Sequence, residues 1–89
     1  MSEIDELLAE VNRLPVETPT SSREFADQLG RLRSVAARWA DVLLEMSEVS
    51  RTLGGPRTAA AVEIAFRRAE QSFVELEIAH SAVSRQSSR

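Results

Sequence analysis

The stretch Leu53-Gly54-Gly55-Pro56 separates two long runs of apolar residues that recur at helical spacing. Two adjacent glycines can end a helix, because glycine adopts a positive φ without strain, and proline fits the first turn of the next helix. A connection this short makes the two flanking helices antiparallel neighbours. The stretch therefore predicts a helical hairpin.

On both sides of the turn, apolar residues follow one another at steps of three and four, which is the spacing of a coiled-coil seam. The seam positions before the turn are Phe25, Leu29, Leu32, Ala36, Trp39, Leu43, Met46, Ser50 and Leu53. Those after it are Val62, Phe66, Ala69, Phe73, Leu76, His80 and Val83. We expect the two arms to cover each other along these positions.

A short helix is predicted before the hairpin, because the N-terminal region carries its own apolar stripe and Ser2 can cap the first turn. The stripe consists of Ile4, Leu7, Leu8, Val11 and Leu14. Pro15 and Pro19 favour an extended linker, and Ser21 followed by Glu24 is the pattern of a capping box. The predicted organisation is one all-α domain over 1–89, with a helix at 3–14, a linker at 15–21, a helix at 22–52, a turn at 53–56, a helix at 57–84 and a polar tail at 85–89.

Composition limits the classes of function and of partner that this chain can have. The 89 residues give room for one domain, and the absence of cysteine excludes disulfides, thiol catalysis and thiolate metal sites. The net charge of -3 disfavours nucleic acid as a partner. All eleven basic residues are arginine, which is typical of a GC-rich genome such as that of an actinobacterium. No apolar run is long enough for a membrane span and the N-terminus is acidic, so we expect a cytoplasmic protein with no membrane partner.

No pattern for catalysis, cofactor binding or metal binding is found. His80 is the single histidine, and no histidine or cysteine accompanies the glutamates at metal-ligand spacing. An all-helical enzyme of the chorismate mutase kind would need arginines inside a bundle, and the two seams contain none.

We expect His80 to pack near Leu29 and Gly30; the alternative is a pH switch at an interface. Gly30 in a helix is either a tolerated surface glycine or a point of close approach.

Apolar residues outside the two seams are the main indication of function. Val35, Val42 and Val49 recur every seven residues beside the first seam, and Ile64, Val74 and Ile78 lie away from the second. The short N-terminal helix is the economical cover for the valines.

Charges flank these faces. Glu63, Glu70 and Glu77 recur every seven residues, and Arg31 and Arg38 are expected on the solvent side of the second helix.

Trp39 is either a core anchor or an interface hot spot. The predicted interface residues are Val35, Trp39, Val42, Val49, Ile64, Glu70, Val74 and Ile78. The sequence thus predicts a non-enzymatic interaction module, such as an adaptor or accessory subunit, completed as a bundle by itself or another helical protein.

Residues 22–84 resemble the WXG100 (ESAT-6-like) proteins of type VII secretion systems in length and arrangement. That family places Trp-x-Gly in the turn, where this chain has Leu53-Gly54-Gly55-Pro56, and the lone tryptophan stands in Trp39-Ala40-Asp41 within a helix. The family's Tyr-x-x-x-Asp/Glu secretion signal cannot be present, because the chain has no tyrosine. The resemblance implies an elongated helical-hairpin protein that pairs into dimers, and it carries no functional residue over to this chain.

Overall fold

Three helices make up the structure, a computed structural model that describes residues 2–87. They are α1 (Glu3–Asn12), α2 (Ser22–Leu53) and α3 (Gly55–Ser87), and the described residues contain no strand. α2 and α3 pack together along an antiparallel hairpin, which confirms the predicted all-α fold. The molecule measures 51 × 24 × 18 Å.

Helix ends differ from the predicted ones at several places. α1 ends at Asn12 rather than at 14, because the N–H groups of Arg13 and Leu14 bond to Glu10 and Val11 in a tighter turn just before Pro15. The turn of the hairpin is shorter than the predicted 53–56, since α2 includes Leu53 and α3 begins at Gly55.

The predicted polar tail is largely helical. α3 continues to Ser87 instead of ending at 84, and the Arg85 side chain donates from Nε to the Ser81 carbonyl at 3.4 Å. Arginine and glutamine are good helix formers, so a polar sequence does not by itself end a helix. Residues 88–89 of the predicted tail lie outside the described residues.

Local hydrogen bonds fix the starts of α1 and α2. The Ser2 hydroxyl accepts from the Asp5 N–H at 3.2 Å, and the Asp5 carboxylate accepts from the Ser2 N–H, which completes a capping box. Ser21 caps α2 as predicted, accepting from the Glu24 N–H at 3.1 Å. The Glu24 carboxylate accepts instead from the N–H and hydroxyl of Thr20, so the predicted capping box is only half formed. These bonds, the backbone one first, lower the pKa of Glu24.

Gly55 makes the tight turn possible. Its φ is +78°, a conformation that side-chain-bearing residues rarely adopt, whereas Gly54 is right-handed with a φ of -104°. The Gly54 N–H donates to the Ser50 carbonyl at 3.0 Å and ends α2. The predicted positive φ is therefore confirmed at one of the two glycines.

The two arms of the hairpin use their predicted seams unequally. Every predicted seam residue of α3 is buried or half-buried, as expected. On α2, the covered seam residues are Leu29, Ala36, Leu43 and Ser50, and the alternate positions between them are exposed. α3 is displaced toward Ala40 and Ser47, which are both buried, because small side chains let the helices approach closely. The expectation that the seams cover each other is wrong for the alternate positions.

α1 packs against α2 and has no contact with α3 among the described residues. The Arg38 side chain bonds to Glu6 and Glu10, and Arg31 donates to the Arg13 carbonyl, so α1 runs antiparallel to α2. Arg38 and Ala40 are two residues apart, which places them about 160° apart around the helix. α1 and α3 therefore lie on nearly opposite sides of α2, and the three helices form a single layer with α2 in the centre.

Candidate protein-protein interface

A line of large apolar side chains runs uncovered along α2. We call it the heptad stripe, and it consists of Phe25, Leu32, Trp39, Met46 and Leu53. These residues are seven apart, so they lie along one line of the helix surface. Their exposed fractions range from 39% for Leu32 and Met46 to 82% for Leu53. The stripe spans about 42 Å at 1.5 Å per residue, which is most of the length of the molecule.

The single-layer arrangement leaves this stripe open. α3 lies on the side of Ala40, α1 lies on the side of Arg38, and Trp39 points between them because each residue advances about 100° around the helix. No described helix crosses over the layer to cover Trp39, whose exposed fraction is 46%. The stripe is therefore one face of the layer rather than a gap in its core.

Two shallow grooves join the stripe to α3. Near the middle of the hairpin, one is lined by Trp39, Leu43, Ala61, Ile64, Arg68 and Ser72 among others. At the turn end, a second groove is almost wholly apolar, and its lining includes Leu43, Met46, Val49, Leu53, Thr58 and Val62. The apolar face thus extends from α2 onto the first half of α3.

α1 widens the same face on the other side. Glu6 and Glu10 point toward α2, whereas Ile4, Leu8 and Val11 are exposed and lie about 100–160° away around α1. Because α1 runs antiparallel to α2, the right-handed turn of both helices places these three residues on the side of the heptad stripe. All three helices thus contribute exposed apolar side chains to one face of the layer.

Three of the predicted interface residues lie on this face or at its edge. Trp39 and Ile64 line the same groove, and Ile64 is 51% exposed. Val49 is 43% exposed and lines the groove at the turn end. The antiparallel contacts of Glu6, Glu10 and Arg13 put Ser2 beside about residue 42 of α2, so α1 does not extend as far as Val49.

The remaining predicted interface residues lie elsewhere. Val35 is half-buried beside Leu14, and Val42 is only 4% exposed, so the chain itself covers this valine. Val74 and Ile78 are exposed on the side of α3 that faces away from α2. Glu70 is exposed and lies about 160° around α3 from Arg68, so it is not on the face of the heptad stripe. The structure does not bring these eight residues together into one site.

Arg38 anchors α1, which sequence reasoning missed by placing Arg38 on the solvent side of α2. Its guanidinium donates to Glu6 at 2.8 Å and to Glu10, and the Ser34 hydroxyl also donates to Glu10 at 2.9 Å. The bond from Arg38 lowers the pKa of Glu10, and the same bond raises the pKa of Arg38. Glu6 and Glu10 stand one helical turn apart on α1, and this spacing is the signal that could have identified a basic partner.

His80 lies within the hairpin, where the packed alternative placed it. Its Nε2 would be 3.2 Å from a Cβ at Gly30, and its Nδ1 is 3.5 Å from the guanidinium of Arg33. Gly30 is therefore a point of close approach between α2 and α3. His80 thus faces the other arm of its own hairpin, and the interface alternative stays a prediction.

Two further features are absent from the part of the chain that the structure describes. Residues 2–87 contain no group of three or more histidines, aspartates or glutamates that could hold a metal ion. None of the described helices is long and apolar enough to cross a membrane. No family model, curated protein or solved structure matches the chain.

Proposed function

We propose that this protein is a non-enzymatic helical interaction module whose apolar face docks on another helical surface. The observation that carries the proposal is the heptad stripe of α2, five large apolar side chains in register with no described helix over them. Exposed apolar residues are ordinary when scattered, but a continuous line along a rod is typical of a contact surface.

The small size of the core supports the proposal. Among the described residues, the buried apolar side chains are Leu29, Ala40, Val42 and Ala69. Full burial of a large apolar side chain is worth about 1.5–3 kcal/mol, so the partly exposed stripe leaves much of this free energy unused. A partner that covers the face would supply the missing hydrophobic stabilisation.

A small adaptor or accessory subunit fits this arrangement, because the polar side of the layer stays in water while the apolar side is occupied. We place the protein in the cytoplasm, since a chain without cysteine has none of the disulfides that are common in small secreted domains. The type VII-like alternative depends on the hairpin arrangement alone, and its marker residues are missing, so it ranks second.

The test uses the tagged full-length chain, purified from the cells that naturally produce it, and measures its mass together with everything that co-purifies. Leu32→Glu places a charge in the heptad stripe. Leu44→Glu is the matched control, because Leu44 is 42% exposed and lies about 120° away from Leu32 around α2.

We expect the wild-type chain and Leu44→Glu to run as a defined assembly heavier than 9.9 kDa, and Leu32→Glu to run as a monomer with the same helix content. A wild-type chain that is a monodisperse monomer with nothing bound would refute the proposed function. An assembly that Leu32→Glu leaves intact would show that the stripe is not the interface.

A further inference from the structure

We infer that the occupant of the heptad stripe is a second copy of this chain, with the two α2 helices antiparallel and related by a two-fold axis at Trp39. This inference rests on the proposed function and names its partner. The five stripe positions are symmetric about Trp39. The axis therefore sets Trp39 against Trp39, Leu32 against Met46 and Phe25 against Leu53, and each side chain meets a large apolar side chain.

Charges beside the stripe follow the same symmetry. Across the hairpin, Gly30 lies opposite His80 and Gly54 opposite Thr58, so the level of Trp39 corresponds to residues 71–73 of α3. Arg68 and Glu75 stand at nearly equal distances on either side of this level. A two-fold axis at Trp39 therefore brings Arg68 of each copy to the level of Glu75 of the other.

These two residues are available for such a contact. Arg68 lines the groove beside Trp39, and Glu75 follows it two turns later on the same line of α3. Neither forms an ion pair with another residue in the described part of the chain, although Glu75 accepts a hydrogen bond from Gln71. In the antiparallel pair α3 lies against α3 of the second copy, so two equivalent Arg68–Glu75 pairs flank the stripe.

The exposed surface of the chain is large enough to form a dimer interface. The chain exposes 6599 Å², whereas a folded monomer of 9.9 kDa exposes about 5,200 Å². The difference of about 1,400 Å² exceeds the roughly 800 Å² that each partner contributes to a standard interface. The apolar face runs along most of the 51 Å length of the molecule, so it is large enough to supply this area.

Cysteine cross-linking of the purified full-length chain tests both the partner and the orientation. The natural chain has no cysteine, so an introduced one reports a single position. Leu32→Cys and Met46→Cys are made separately, mixed in equal amounts and oxidised. Glu48→Cys is the control, because Glu48 is exposed and lies about 180° around α2 from Trp39.

We expect the mixture to form mostly a disulfide between Leu32→Cys and Met46→Cys, and each variant alone to cross-link at least fivefold less. Strong cross-linking of each variant alone, with little in the mixture, would overturn the antiparallel arrangement. No cross-link together with a monomeric wild-type mass would overturn self-association. In that case, a partner captured by the stripe in cell extracts would still leave the proposed function standing, and the two failures are thus distinguishable.

A charge exchange provides a second measurement that does not depend on disulfide chemistry. Arg68→Glu places two acidic residues together at each flank of the antiparallel dimer, and we expect the dimer dissociation constant to rise at least tenfold. Glu75→Arg in the same chain restores the opposite charges, so the double variant should return to within about threefold of wild type. A double variant that is as weak as Arg68→Glu would overturn the proposed register.

Discussion

Gly30 shows how one missing side chain sets the distance between the two long helices. Glycine costs a helix about 1 kcal/mol relative to alanine, yet it stands in the first half of α2. A Cβ at this position would lie 3.2 Å from His80 Nε2 and 3.5 Å from its Cδ2. The imidazole is half-buried and also lies against Arg33, so it has little room to move away. The glycine is therefore explained by the ring that packs on it.

A double-mutant cycle measures this contact. We expect Gly30→Ala to raise the free energy of unfolding by about 1 kcal/mol when His80 is also replaced by Ala, because only the helix propensity then changes. In the presence of His80, the gain should be smaller, because the ring must shift by a few tenths of an ångström. Urea unfolding followed by helix content gives both values. Equal gains in the two backgrounds would show that the ring does not restrict this position.

At the scale of the helix, α1 is attached to α2 through charged and polar groups as well as through the half-buried Leu7 and Leu14. Arg38 joins Glu6 and Glu10, and Ser34 adds a hydrogen bond to Glu10. Since Ile4, Leu8 and Val11 are exposed, the apolar stripe of α1 contributes less to this docking than its sequence suggests. The charged contact makes the docking of α1 dependent on pH.

The pKa of Glu10 is lower in the folded chain than its ordinary value of 4.5, because Arg38 donates to its carboxylate. A lowered folded pKa adds stability that is fully present above the unfolded pKa and is lost as the pH falls through the folded pKa. We expect Glu10→Gln to be less stable than wild type by about 1 kcal/mol at pH 7. The difference should narrow below about pH 4.5 and vanish at lower pH.

Urea unfolding from pH 7 to pH 3 checks this dependence. Glu48→Gln is the control, because Glu48 is exposed and forms no ion pair with the described residues. It should follow wild type at every pH. A constant gap between Glu10→Gln and wild type across the whole range would contradict the role of the Arg38 contact.

The sequence predicts where the helices lie along the chain, but it does not predict which side of α2 packs against α3. The glycine turn, the cap of α2 and the steps of three and four are local signals, and they gave the hairpin and the opposition of His80 and Gly30. The side of α2 that meets α3 depends on how closely the two backbones can approach. The approach in turn depends on small residues of α2, such as Ala40 and Ser47, and on the side chains of α3 that pack against them. A period of seven describes the stripe without deciding which helix covers it. For this reason the sequence pattern places the half of the seam that carries Trp39 inside the hairpin, whereas the structure places it outside.

For the whole molecule, the decisive property is that the layer has one apolar face. Its heptad stripe, the exposed side chains of α1 and the grooves along α3 lie together, whereas Glu48 and Glu70 lie on other sides. A layer of three helices with one apolar face resembles half of a two-layer domain, in which each layer buries the apolar face of the other. Folding and assembly should therefore be coupled in this protein.

Coupling of folding to dimer formation makes thermal stability depend on concentration, because dilution favours the separated chains. For a chain of this length we expect the wild-type melting temperature to rise by about 4 °C for each tenfold increase in concentration. Met46→Glu, which puts a charge into the stripe, should melt lower and at a temperature that does not change with concentration. Leu44→Glu lies about 160° from Met46 around α2 and should behave like wild type. Circular dichroism melts at about 5 and 50 µM decide the matter, since a wild-type midpoint that is identical at both concentrations would mean that the layer folds without a second copy.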